Sequence, residues 1–145
     1  YRLTDFQAAL GLSQIKRLNS FVKKRRLIAE IYNKKFQNDE RFIIPKVNKK
    51  VFHSYHLYPL QIKFEKLKIS KNFFFIKMLK KNIKLQVHYI PIPYQPIYRK
   101  YAKKFNFEIS NAKKFYNREF SIPIYFDLKP SQASYIANLI KRIAI

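Results

Sequence analysis

From Gln14 to Phe36 the apolar residues Ile15, Leu18, Phe21, Val22, Ile28, Ile31, Tyr32 and Phe36 recur at helical spacing, with Lys16, Lys23, Lys24, Lys34 and Lys35 on the other side. This pattern predicts one long amphipathic helix. A helix with one apolar stripe must lie on another apolar layer, so the rest of the chain has to supply that layer. Just upstream, Thr4 with Gln7 three residues later has the form of a capping box and predicts a short helix through Leu12.

Past a polar stretch at 38–50 around Pro45, Tyr58, Leu60, Ile62 and Phe64 alternate with Pro59, Gln61 and Lys63, the period of a strand with one buried face. Pro59 has no N–H, so the strand lies at an edge or turns that missing donor outward. Ser70 can cap a helix reaching Lys81, and Asn82 can adopt the left-handed conformation that ends it. A strand over Ile83–Ile90 follows, then a stiff extended connection enforced by Pro91, Pro93 and Pro96. Helical turns are expected at Ile97–Lys104 and Asn111–Phe120, a short strand at Ser121–Tyr125, and a closing helix at Pro130–Ile143 with Pro in its first position. Strands separated by helices predict a small α/β (α+β) domain with helices on one face of a mostly antiparallel sheet.

The 145 residues suffice for one domain with a moderate core, since 48% are hydrophobic and 17% aromatic. A formal charge of +23 raises a second reading, a free-standing basic domain that binds nucleic acid or another polyanion. Two features argue against it: Lys is spread in pairs along the whole chain, and it rises together with Asn, Ile, Phe and Tyr while only one Gly remains, as A/T-rich coding drift would produce. No apolar run approaches the roughly 18 residues of a membrane span. The absence of Cys suits the cytoplasm, which is the expected location. His53 and His56, three apart on an expected strand, should face opposite ways and form no metal site. His88 differs. In Gln86-Val87-His88-Tyr89-Ile90-Pro91 a polar pair ends a strand just before a Pro-stiffened loop, a position that suits contact with a ligand as well as it suits an ordinary strand end.

Several stretches, in order, carry a resemblance: Tyr1-Arg2-Leu3-Thr4-Asp5-Phe6-Gln7-Ala8-Ala9-Leu10-Gly11-Leu12-Ser13-Gln14, Lys23 to Ala29 with Ile31-Tyr32, His56-Leu57-Tyr58-Pro59, Gln86 to Pro91, Gln95-Pro96-Ile97-Tyr98, and Phe120-Ser121-Ile122-Pro123-Ile124-Tyr125. Together they resemble the DegT/DnrJ/EryC1/StrS aminotransferases. The resemblance implies the C-terminal small domain of the aspartate-aminotransferase-like fold type I, over 38–145, preceded by linking helices over 1–37 at the domain and dimer seam. It also implies pyridoxal 5'-phosphate chemistry on a UDP-linked 4-keto sugar, with glutamate as amino donor, in a homodimer, on a route to pseudaminic acid or a related surface sugar. The family's Schiff-base Lys, its Asp partner for the pyridine nitrogen and the aromatic residue stacked on the ring are expected upstream of Tyr1. The chain opens at Tyr1, without Met and inside a motif, so it is expected to be the back part of a longer enzyme and inactive alone. By the same resemblance Tyr1 and Arg2 are the remnant of a cofactor-phosphate contact, and Ile83, Lys84, Leu85, Gln86, His88 and Tyr89 contact the sugar nucleotide. The family commonly has Gly at the positions of Asn82 and Lys84. Lys tolerates positive φ poorly, so an altered turn is expected there.

Overall fold

The computed structural model describes residues 2–105 and 109–145. Thr4 caps α1 (Asp5–Ile15) reciprocally: its Oγ1 accepts the Gln7 N–H at 3.3 Å, and Gln7 Oε1 accepts the Thr4 N–H at 3.1 Å. The single long helix expected from Gln14 is two helices. α1 runs on to Ile15, and α2 (Leu18–Phe36) begins after a tight turn in which the Arg17 N–H bonds Gln14 O at 3.0 Å, while Ser20 Oγ donates to Arg17 O at 2.8 Å. A three-residue backbone bond thus takes over where the α-helical ladder stops, and the Ser20 hydroxyl adds a local bond back to the Arg17 carbonyl.

The apolar stripe of α2 is buried at Ile28, Ala29, Tyr32 and Phe36, and packs on α6 (Pro130–Ile143), where Ala133, Ile136, Ala137, Leu139 and Ile140 are buried. Pro130 stands at the start of α6 as expected, and Gln132 Oε1 accepts the Lys129 N–H there at 2.9 Å. α1 buries nothing and exposes Phe6, Leu10, Leu12 and Ile15.

The sheet has three antiparallel strands in the order β1 (Phe42–Ile43), β2 (Pro59–Ile62), β3 (Glu119–Ser121). β1 falls where only a polar turn was expected. β2 is central, and its Pro59 is accommodated because it lies beyond the end of β1, on the side where no ladder partner follows. β3 starts two residues earlier than the expected strand and stops at Ser121. The last ladder-like bond is Ile122 N–H to Tyr58 O at 3.2 Å, and Pro123 has no donor to continue it.

Between β2 and β3 run α3 (Lys71–Leu79), capped by Ser70 Oγ on the Phe73 N–H at 3.2 Å, α4 (Arg99–Phe105) and α5 (Ser110–Arg118). Asn82 closes α3 with φ 58°, as expected, and Lys84 has no positive φ, so the Gly-to-Lys departure leaves the turn unstrained. The strand expected over Ile83–Ile90 does not form. Burial alternates there, with Ile83 buried, Lys84 exposed and Leu85 half-buried, yet the backbone pairs only once, Gln86 with Ser121. The next available donor, the His88 N–H, goes to a side-chain carboxylate instead of a backbone carbonyl. Single 3₁₀ turns at Ile92–Tyr94 and Pro96–Tyr98 replace the extended connection, because proline at the start of such a turn lacks only a donor that would be unused.

The core is aromatic. Phe120 of β3 sits 5.2 Å from Phe74, 5.8 Å from Phe75 and 6.3 Å from Phe64, centroid to centroid. Tyr32 and Tyr58 are fully buried with rings 5.1 Å apart, and their hydroxyls donate to Pro123 O and Asn33 Oδ1, both at 2.7 Å. Burial pushes both phenols far above the ordinary tyrosine range.

Past α2, Asp39 takes Arg41 in a two-pronged pair, Nε to Oδ1 at 2.9 Å and the second prong to Oδ2 at 2.8 Å. Arg41 also donates to Lys141 O at 3.1 Å and to Ala144 O, placing a cation on the C-terminal end of α6. The Arg41 hydrogen bond holds the Asp39 carboxyl down to about 2 from 3.8. A carboxyl lowered by folding adds stability that is complete above the unfolded value near 3.8 and is lost as pH falls toward about 2. Asp39→Asn is therefore expected to melt below the parent chain at neutral pH, with the gap closing near pH 2. Thermal unfolding of both at the two pH values checks this.

Candidate functional site

In a strand successive side chains face opposite ways, so β3 sends Phe120 into the aromatic core and Glu119 and Ser121 to the other face. The 83–88 segment lies beside β3 and bridges to it at Gln86. Gln86 and Ser121 exchange two backbone bonds, at 3.3 and 2.7 Å. The His88 N–H donates to Glu119 Oε2 at 3.1 Å, Ser121 Oγ donates to Glu119 Oε1 at 3.2 Å, and His88 Nδ1 lies 2.8 Å from Ser121 Oγ. Glu119 is only 1% exposed and both its oxygens are engaged, the condition under which a buried carboxylate is tolerated.

Lys71, at the first turn of α3, donates to Tyr116 O at 2.6 Å and to Glu119 O at 2.7 Å, closing the C-terminal end of α5 with a cation. Burial holds its ammonium below the ordinary lysine range, against the opposing pull of the Glu119 charge.

The residues expected to contact substrate are divided between two sides of their segment. Ile83 is buried in the core and Leu85 packs against it. Lys84 and Gln86 face outward and line, with His56, Leu57 and Ser121, a cleft of about 210 Å³. His88 is half-buried above Ser121, and Tyr89 is exposed with its ring 4.7 Å from that of His88. Arg2 is exposed, with no hydrogen bond among the described residues, and Tyr1 lies outside the described residues.

His53 and His56 stand on a loop, not a strand. Arg25 braces that loop by donating to Tyr55 O at 3.2 Å, His56 O at 2.9 Å and Ile124 O at 3.0 Å, and Arg26 donates to His53 O at 3.0 Å. Among the described residues no group of His, Asp and Glu could hold a metal ion, and no helix is long and apolar enough to cross a membrane.

Glu119, Ser121, Lys71 and the cleft position of His56 were not foreseen. A signal existed for two of them: Glu119 and Ser121 flank Phe120 in a strand, so whichever face took the Phe, the acid had to lie on the other. The described residues do not by themselves fit pyridoxal phosphate. Lys71, half-buried beside this site, has two carbonyl partners already, and Arg2 makes no hydrogen bond among the described residues.

The model of the DegT/DnrJ/EryC1/StrS aminotransferase family matches residues 1–141. The chain belongs to that family. It is 39% identical to the Methanocaldococcus jannaschii protein MJ1066 over 99% of its own length and 37% of that protein. It is 33% identical to the UDP-4-amino-4,6-dideoxy-N-acetyl-beta-L-altrosamine transaminase of Campylobacter jejuni, over 95% of this chain and 36% of that one. Among solved structures, Helicobacter pylori PseC, an aminotransferase involved in the biosynthesis of pseudoaminic acid, superposes with a TM-score of 0.86 at 30% identity, over 99% of this chain and 38% of that chain. The chain thus spans a little over a third of the relatives it matches. The helices and small antiparallel sheet superpose on that aminotransferase over the part the two share.

Replacing Lys71 by Met keeps the aliphatic stem and removes both charge-assisted bonds, leaving two carbonyls at the end of α5 without that donor. Lys71→Met is expected to cost about 2–3 kcal/mol, read as a lower urea midpoint. An unchanged midpoint would show that the lysine does not hold α5 to α3.

Proposed function

We propose that this chain forms the substrate-side lobe of a cytoplasmic, pyridoxal-phosphate-dependent aminotransferase that aminates a UDP-linked 4-keto-6-deoxy sugar with glutamate as donor, for pseudaminic acid or a related surface sugar. The observation that carries the reading is the family match along residues 1–141 together with the cleft that Lys84 and Gln86 line within it. The likeness to a transaminase named for a UDP-linked sugar supports the nucleotide.

In this reading each residue has a distinct part. Lys84 is exposed at the cleft and supplies a mobile point charge suited to a diphosphate. Gln86, fixed through its backbone to Ser121, offers an amide that can both donate and accept toward a uracil or sugar group. His88 and Tyr89 present one ring nitrogen and one phenol, while Ile83 and Leu85 act from behind by seating the segment on the core. Pyridoxal phosphate, when bound in the intact enzyme, supplies the electron sink for amino transfer. Its anchoring lysine is assigned to the portion of the relatives that this chain does not span, with Tyr1 and Arg2 near the cofactor phosphate. The homodimer is supported by the apolar residues that α1 leaves exposed, Phe6 at 81% among them.

Calorimetric titration with UDP-N-acetylglucosamine tests the binding half. Lys84→Ala is expected to weaken affinity about tenfold, equivalent to ~1.4 kcal/mol, and no binding by the parent chain would contradict the reading. The chain alone, given pyridoxal phosphate, glutamate and a UDP-linked 4-keto sugar, is expected to form no aminated product. Accumulation of that product would place the anchor within this chain.

A further inference from the structure

With Glu119 ionised, the hydrogen bonds beneath the 84–88 segment have one consistent set of directions. A backbone N–H can only donate, so Glu119 Oε2 accepts from His88 at 3.1 Å. Ser121 Oγ has one proton and two neighbours, Glu119 Oε1 at 3.2 Å and His88 Nδ1 at 2.8 Å. A carboxylate has no proton to give, so the serine proton points to Glu119 and Oγ must accept from the ring. Nδ1 therefore carries the hydrogen. In the neutral ring Nε2, on the edge away from Ser121, is left with its lone pair.

We propose that Glu119 and Ser121 are positioning residues that lock His88 in the Nδ1–H tautomer, which leaves Nε2 as a hydrogen-bond acceptor available to a sugar hydroxyl or amide N–H. The tautomer stands on this geometry alone; the identity of the ligand rests on the function proposed above. An imidazole in water favours the opposite tautomer, so the lock is a property that the fold imposes. It also sets a preference: a ligand group that only accepts hydrogen bonds finds no partner at the neutral ring.

The logic makes Glu119→Gln informative. The amide oxygen must stay on the His88 N–H, which can only donate, so the amide NH₂ is turned toward Ser121. Ser121 Oγ then accepts from Gln, its own proton swings to Nδ1, and the ring is driven to the Nε2–H form. One isosteric change reverses the chain of bonds without emptying any space.

The test is a long-range ¹⁵N–¹H correlation spectrum of the chain with ¹⁵N-labelled histidine, at a pH where the rings are neutral, with His88 identified as the ring that His88→Gln lacks. The expected result is a pyrrole-type Nδ1 and a pyridine-type Nε2 in the parent chain, exchanged in Glu119→Gln. Ser121→Ala is expected to lose the Nδ1–H preference, and Ser121→Thr, which keeps the hydroxyl, to retain it. An Nε2–H ring in the parent chain overturns the proposal, and so does a folded Glu119→Gln with an unchanged pattern. If Glu119→Gln does not fold, the parent spectrum and the two serine variants decide. The correct tautomer with no Nε2 shift on adding UDP-N-acetylglucosamine would remove the sugar assignment and leave the lock in place.

Discussion

The strand Glu119–Ser121 is the constraint on which the molecule turns. Alternation along a strand is fixed at period two, so these three residues serve two faces at once. Phe120 anchors the aromatic cluster with Phe64, Phe74 and Phe75, while Glu119 and Ser121 hold the 84–88 segment. A slip of one residue would drive the carboxylate among the rings and turn Phe120 to the polar side. An unpaired buried carboxylate costs several kcal/mol, so the hydrogen bonds of the site and the packing of the core enforce the same register. Binding geometry and stability are thereby coupled through three residues.

Part of the large positive charge has structural work. Arg25 and Arg26 tie the 53–56 loop to α2, Arg41 closes the end of α6, and Lys71 closes the end of α5, in each case by donating to backbone carbonyls. Cations at helix C-termini are favourable because the unpaired carbonyls there carry partial negative charge. Such residues are not free to neutralise phosphates, and Lys84 at the cleft differs from them in having its charge exposed.

What could be read from the sequence was local chemistry. The Thr4–Gln7 box, the Ser70 cap, the left-handed Asn82, Pro130 at a helix start and the alternation at Pro59–Ile62 all depend on neighbours in the chain, and all appear where those neighbours put them. What escaped depends on distant partners. The break at Lys16–Arg17 interrupts an unbroken apolar periodicity, β1 exists only because Ile62 and Gln61 offer it a ladder, and the expected strand at 83–90 lost its pairing when a side chain 31 positions away captured the His88 N–H. The site shows the same division: Lys84, Gln86 and His88 lie in a motif, whereas Lys71 becomes visible only when helix, strand and loop converge.

The central claim is that the face of β3 opposite the core anchors the loop carrying His88. Amide hydrogen exchange on the chain tests it most directly, because a loop amide exchanges fast unless something holds it. The account predicts that the His88 amide exchanges slowly, in step with that of Ser121, although it lies in no helix or strand. A His88 amide that exchanges as fast as an open loop amide while Ser121 stays protected would contradict it.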